Sequence, residues 1–340
     1  MGGPRRELHV EGPPSTGGVI LIVSELSDPT AQAVARILSL AGRTYVWSTR
    51  GEYPAAASLT YIVSPVRPPS RRWRSGGRAI DLDTVRSIWW RRPARARAAP
   101  SIRDAEVRRY VEASADEVFG AVLDDIECLH VPARRSIVRE AQEKVPQLTL
   151  ARSLGFEVPA TLVTNDPGEL LDFYRMHDGK VVTKTAAVRV DPLVRGGFCG
   201  YTRRLHPRDL IAAYDVSLCP VTAQVYVDKR LELRVTIVGA DLFAAEIHSQ
   251  STRQTRVDWR HYDDRYTVHQ AHELPDPVAG RCRELADRMG LVYGAIDLVL
   301  TPDGRYVFLE INPNGEYQWI EDATGLPISD RIAKLLWELQ

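Results

Sequence analysis

Between Val221 and Pro313 the chain runs through five strand-like segments, VTAQVYVDK, LELRVTIVG, DLFAAEIHS, YGAIDLVLTPDG and RYVFLEINP. Most alternate in polarity, and turn formers separate them at Gly239-Ala240-Asp241 and Pro302-Asp303-Gly304. A period of two broken by tight turns predicts antiparallel hairpins, with the one helical segment, CRELADRMG, lying between them. The last third must therefore build an antiparallel sheet, and it ends on an unusual stretch, FLEINPNGEYQWIE, in which a carboxylate and two amides precede an aromatic run.

The start of the chain follows another pattern. A β-branched run at Val19–Val23 leads through a turn into an amphipathic helix over about Pro29–Leu40, with Gly42 as its stop and a second strand at Thr44–Trp47. A strand–helix–strand unit implies a parallel pair and an α/β domain. SIWWRRP, Ser87–Pro93, reads as a further strand of that sheet. The Ser24–Thr30 turn lacks G-x-G-x-x-G, so this domain carries no dinucleotide fingerprint. A helical pattern covers Asp104–Leu129. It is followed by a helix stopping at Gly155, a strand at Ala160–Val163 and a helix opened by NDPGE. KVVTKTA and GFCGYTRRL read as strands around a turn-rich loop at Asp191–Gly197, and a helix at Pro207–Tyr214 follows. The fold class is α/β (α+β). The expected divisions are a flexible tail over 1–17, an α/β domain over 18–125, a central subdomain over 126–212 and an antiparallel-sheet subdomain over 213–340.

Composition removes several function classes. At 340 residues and 44% hydrophobic content, the chain buries a large core. It contains no apolar run long enough to span a bilayer, and its polar, Gly/Pro-rich start lacks a signal-peptide core, so a cytoplasmic protein without membrane association is expected. Cys128, Cys199, Cys219 and Cys282 are scattered, which argues against a zinc site or disulfide framework. A formal net charge of zero gives no reason to propose nucleic acid as partner. The Arg-rich stretch from Arg67 to Arg109 is either a solvated face or a site for acidic ligands.

Several residues carry candidate chemistry. Asp297 and Glu310 fall on segments joined by the Asp303-Gly304 turn, so pairing would set them side by side, and Asn312 shares a strand face with Glu310. Such an all-oxygen set suits Mg²⁺; the same residues would also serve as an acidic hairpin edge closed by Asn312-Pro313. Lys184, in an otherwise apolar strand, is either a solvent-facing residue or a phosphate contact, as is Lys144 at a helix start. The Gln224–Val227 strand, including Tyr226, offers backbone groups to an adenine edge. Glu232 can accept from ribose, and Arg234 can neutralise a transferring phosphoryl group; a charged strand face is the alternative.

The order of these groups resembles the ATP-grasp ligases over roughly the last two-thirds of the chain. SIWWRRP, VPATLVTNDP, ELRVTIVG, DLFAAEIHSQ, VDWR and FLEINPNGEYQWIE look more narrowly like the ATP-grasp maturases that build graspetides, the microviridin-type cross-linked peptides. The resemblance implies an ATP-grasp fold with an N-terminal α/β pre-ATP-grasp domain, and an ADP-forming ligase using ATP and two Mg²⁺ ions. It also implies Asp297, Glu310 and Asn312 as metal ligands and Asn314 near the transferring phosphate. The substrate it implies is an acidic precursor peptide with a leader segment, joined through its own side chains as esters or amides by a homodimeric enzyme. Arg91 and Arg92 would guide acidic segments, and the loop holding Asp191 and Arg195 would dock the leader. Thr185-Ala186 after the strand lysine and Gln224 at the hinge depart from the usual pattern. A ligase acting on free amino acids, or adding them to a protein terminus, is the alternative.

Overall fold

The computed structural model describes residues 10–11, 18–184, 202–261 and 267–338. In chain order the first elements are β1 (Val10–Glu11), β2 (Val19–Ser24), α1 (Pro29–Leu40), β3 (Tyr45–Ser48), β4 (Ala57–Ser64), β5 (Arg67–Ser75), β6 (Arg78–Asp81), β7 (Val85–Arg92), α2 (Ala105–Asp124) and β8 (Leu129–Val131). β3, β2, β7 and β8 lie parallel, and β1 joins the β3 edge antiparallel. The Asp28 side chain accepts from the Thr30 N–H, and Pro29 opens α1, whose Ala31, Val34, Ala35 and Leu38 are buried at helical spacing. β4, β5 and β6 form a separate antiparallel sheet.

Next come α3 (Arg135–Ala141), α4 (Lys144–Ser153), β9 (Thr161–Thr164), α5 (Pro167–Met176), β10 (Val181–Lys184), β11 (Arg203–Arg204) and β12 (Val221–Val225). Their sheet runs β11-β10-β12-β9 and is antiparallel. The expected helix at Pro207–Tyr214 is a 3-10 segment, Pro207–Leu218. Because β12 pairs with β10 and β9, the chain passes to its last sheet after Val225.

That last sheet, in the order β15-β14-β13-β16-β17, comprises β13 (Leu231–Val238), β14 (Asp241–Ile247), β15 (His269–His272), β16 (Tyr293–Leu300) and β17 (Tyr306–Asn312). All its pairings are antiparallel. Leu231, Leu233, Val235 and Ile237 of β13 and Ile296 and Leu298 of β16 share one core with Leu285 of α6 (Asp276–Arg288). The alternate residues of these strands face away from that core. Two helices close the chain, α7 (Gln318–Thr324) and α8 (Ile328–Trp337). Ile328, Ile332, Leu335 and Leu336 of α8 join Ile20, Val34 and Trp89 of β2, α1 and β7 in a single core, each contributing about 1.5–3 kcal/mol on burial. Ser87 Oγ donates to Leu336 O at 2.7 Å, so the chain's last helix is sewn to its first sheet.

Candidate active site

The face of the last sheet turned away from its apolar core collects the charged residues. Arg234 of β13 stands opposite Asp297 of β16, and Asp297 opposite Glu310 of β17. A β-bulge shapes this arrangement. Asp297 pairs with Glu310 but Leu298 pairs with Phe308, leaving Leu309 as the extra residue. Strict alternation would put Phe308 and Glu310 on one face. The bulge lets Phe308 and Ile311 both enter the apolar core while Glu310 and Asn312 face the charged side.

Arg234 Nη1 donates to both oxygens of Asp297 at 2.8 and 3.0 Å. Burial pushes the Asp297 carboxyl up, with Glu310 acting in the same direction and Arg234 against it. Lys144 Nζ lies 2.8 Å from Glu310 Oε2. Burial would raise Glu310 too, but Lys144 and Lys184 outweigh it and hold this carboxyl below the ordinary range. Lys184 sits within the fields of Glu310, Lys144, Lys229 and Arg260, and burial lowers its pKa. The structure thus gathers Lys144, Lys184, Arg234, Asp297 and Glu310 from three separate parts of the chain.

Gln147, one turn along α4 from Lys144, is buried and was not singled out by sequence reasoning. β17 is an edge strand, and the Gln147 amide takes the place of a missing neighbour. Its Oε1 accepts from Ile311 N–H at 3.1 Å, and its Nε2 donates to Ile311 O at 2.8 Å and Ala141 O at 2.6 Å. The residue so pinned lies between Glu310 and Asn312.

On the central sheet, Gln224 is buried and donates to Thr161 Oγ1 at 2.9 Å, and Tyr226 N–H donates to Lys180 O at 2.8 Å. Tyr226 and Val227 begin the connection to β13, and the Arg204 guanidinium stacks 4.0 Å from the Tyr226 ring. Glu232 is buried and 2.7 Å from Lys229 Nζ, a second residue that local pattern did not reveal. VDWR contributes a buried carboxylate held by a half-exposed arginine: Arg260 Nε donates to Asp258 Oδ1 at 2.9 Å, and Thr202 N–H to Asp258 Oδ2 at 2.8 Å. Trp259 lies under the Arg234 guanidinium and stacks on Trp319 with centroids 5.0 Å apart.

After β17 the chain makes a tight turn in which Asn312 Oδ1 accepts from Asn314 N–H at 3.0 Å. Arg91 and Arg92 both reach this loop. Arg91 is only 6% exposed and pairs with Glu316 and Asp28, so its charge is directed inward. Arg92 lies 2.7 Å from Glu316 through Nε while its side chain stays largely exposed. Asp191 and Arg195 lie outside the described residues.

Chemically, Asp297, Glu310 and Asn312 are three hard oxygen donors on one face, suited to Mg²⁺ but too few to complete its octahedron. Among the described residues, no group of three or more His, Cys, Asp or Glu is placed to hold a metal alone. The cations Lys144, Lys184, Lys229, Arg234 and Arg260 outnumber the carboxylates Glu232, Asp258, Asp297 and Glu310. A bare divalent ion would meet net repulsion, whereas a polyphosphate arriving with the ion would supply both the missing oxygens and the missing negative charge.

No family model and no curated relative matches the chain. Solved structures do. The macrocyclase MdnC of Microcystis aeruginosa, bound with precursor peptide MdnA, is 28% identical at a TM-score of 0.82, covering 94% of this chain and 99% of that one. A Chryseobacterium gregarium RiPP-associated ATP-grasp ligase, in complex with ADP and a leader and core peptide, is 27% identical at a TM-score of 0.83, covering 94% and 96%. The ATP-grasp ligase PsnB, 19% identical at a TM-score of 0.70 over 94% and 97%, shares the fold. Near-complete overlap at TM-scores of 0.82 and 0.83 thus gives the chain the fold of the ATP-grasp ligases and makes it similar over its length to a peptide macrocyclase and a RiPP-associated ATP-grasp ligase.

Proposed function

We propose that this protein closes rings in a ribosomally made precursor peptide at the expense of ATP. The observation that carries the reading is the register that sets Arg234, Asp297 and Glu310 side by side across β13, β16 and β17 with Lys144 on Glu310. Similarity to peptide macrocyclases over 94% of the chain supports it.

A carboxylate is a poor electrophile until one oxygen becomes a leaving group. In this reading a side-chain carboxylate of the peptide attacks the γ-phosphorus of ATP, giving an acyl phosphate and ADP. A Ser/Thr hydroxyl or Lys amine of the same peptide then attacks the acyl carbon and expels phosphate. Gln224, Tyr226, Val227 and Glu232 hold the nucleoside, and Lys144 and Lys184 the phosphates. Arg234 and Asn314 face the transferring group, where positioning and charge neutralisation dominate catalysis. Asp297, Glu310 and Asn312 would hold Mg²⁺, which supplies Lewis-acid neutralisation of the phosphate oxygens. Asp297 meets that role already aligned by two bonds from Arg234. Arg92 guides acidic core segments and the loop with Asp191 and Arg195 docks the leader. The working form is a cytoplasmic homodimer.

The test is mass spectrometry of an acidic candidate precursor incubated with the protein, ATP and Mg²⁺. The expected result is loss of one water per bond with ADP formed in step. An unchanged peptide, with ADP released only when free amino acids are supplied, would replace this reading with a small-molecule ligase.

A further inference from the structure

Glu316 lies two residues past Asn314, on the loop leaving β17, and is held from both sides. Its carboxylate pairs with Arg91 and lies 2.7 Å from Arg92 Nε. Its carbonyl accepts from Arg234 Nη2 at 3.3 Å, and the preceding carbonyl, of Gly315, accepts from Tyr293 OH at 2.5 Å. Arg91 in turn reaches the start of α1: its Nε is 3.4 Å from Asp28 Oδ2, and Nη2 donates to Thr30 Oγ1 at 3.3 Å. Asp28 is steadied by Ser24 Oγ, 2.9 Å away.

A continuous chain of charge-assisted bonds therefore runs from the first turn of α1 through Arg91 to Glu316, and across the loop backbone to Arg234. The loop leaves no slack. A Cβ on Gly315 would stand 2.3 Å from Ala295 Cβ and 2.8 Å from Arg234 Nη2. Buried ion pairs contribute little net stability against well-packed apolar side chains, so a clamp of this kind is better explained by the geometry it enforces than by folding energy.

We infer that Glu316 and Arg91 are positioning residues through which the N-terminal domain, itself without a nucleotide signature, sets the Asn312–Glu316 loop and Arg234 for phosphoryl transfer. The inference rests on the ATP-grasp reading above. It gives Arg91 a role apart from substrate guidance: the guanidinium acts on the reaction through Glu316.

The experiment compares Glu316→Gln, Arg91→Met and the double variant with the wild-type chain. Glu316→Gln changes a partly exposed side chain without changing its shape. The expected kcat for ADP release falls roughly 10–100-fold, the scale of a sub-ångström to ångström misplacement, while the ATP KM moves less than about threefold because its contacts lie on other strands. The double variant is no slower than the slower single, since both break one linkage. Hydrogen exchange at the amides of Asn314–Tyr317 in the free protein quickens in each variant. Wild-type kcat in Glu316→Gln, multiplicative losses in the double variant, or unchanged exchange at these amides would each overturn the inference. The exchange readout needs no turnover, so a wild-type chain that released no ADP would count against the functional reading while the clamp was still decided.

Discussion

Replacing Gln147 by Leu tests the most economical device in the site. The change keeps approximate volume and removes the amide. Three backbone groups then lose their partner: Ile311 N–H, Ile311 O and Ala141 O. Gln147 is 1% exposed and Ile311 fully buried, so water cannot replace the amide without opening the packing. A buried polar group left unsatisfied costs about 1–3 kcal/mol, and three at the low end give about 3 kcal/mol before any gain from the added methyl. That is a melting-temperature fall of roughly 4 °C for a chain of this length. Because Ile311 separates Glu310 from Asn312, the Mg²⁺ concentration for half-maximal ADP release rises as well. Gln147→Glu sharpens the test. An introduced carboxylate still accepts from Ile311 N–H but faces two carbonyl oxygens, so its folded-state pKa is raised above the unfolded value near 4.3. Stability so linked is present below that unfolded value and is lost as pH rises through the folded one. The deficit against wild type is therefore smaller at pH 5 than at pH 8. Scanning calorimetry at both pH values, with Mg²⁺ titrations of activity, measures these effects. A Gln147→Leu protein that melts with wild type, or a Gln147→Glu deficit independent of pH, would refute the account of β17 as an edge strand completed by a side chain.

Glu310→Gln, which removes a metal-facing charge and the Lys144 ion pair, should cut ADP release on the order of 10²–10³-fold, as steady-state kinetics would report. Gly315→Ala sets a methyl 2.3 Å from Ala295 Cβ, which only a backbone shift relieves, and 2.8 Å from Arg234 Nη2, which must move too; kcat falls while the ATP KM holds, as steady-state kinetics would report. Burial pushes Asp258 up, but Arg260 and the Thr202 N–H draw it down to about 2, below the unfolded value of about 3.9. The resulting roughly 2–3 kcal/mol is fully present above about pH 4 and is lost as pH falls toward 2. Asp258→Asn should thus be less stable at pH 7 and converge with wild type near pH 2 in acid-unfolding curves.

Period-two alternation and the Asp303-Gly304 turn by themselves determined that the strands carrying Asp297 and Glu310 would pair, because hairpin formation is a local event, but the turn's own register would set Asp297 opposite Leu309. The strand–helix–strand start was legible for the same reason: Asp28, Pro29 and the spacing of Val34 and Leu38 act within one helix. Tertiary structure alone decided the rest. The bulge at Leu309 breaks the alternation a sequence reader would continue, and it exists because Phe308 and Ile311 both have a core to enter. Gln147 and Ile311 stand 164 residues apart, and Arg91 and Glu316 stand 225 apart. No local period encodes such contacts. An isolated Gln on a helix or Arg on a strand reads as an ordinary surface residue until packing brings an unpaired edge or a carboxylate against it, and the cost of leaving those groups unpaired gives the contact its force.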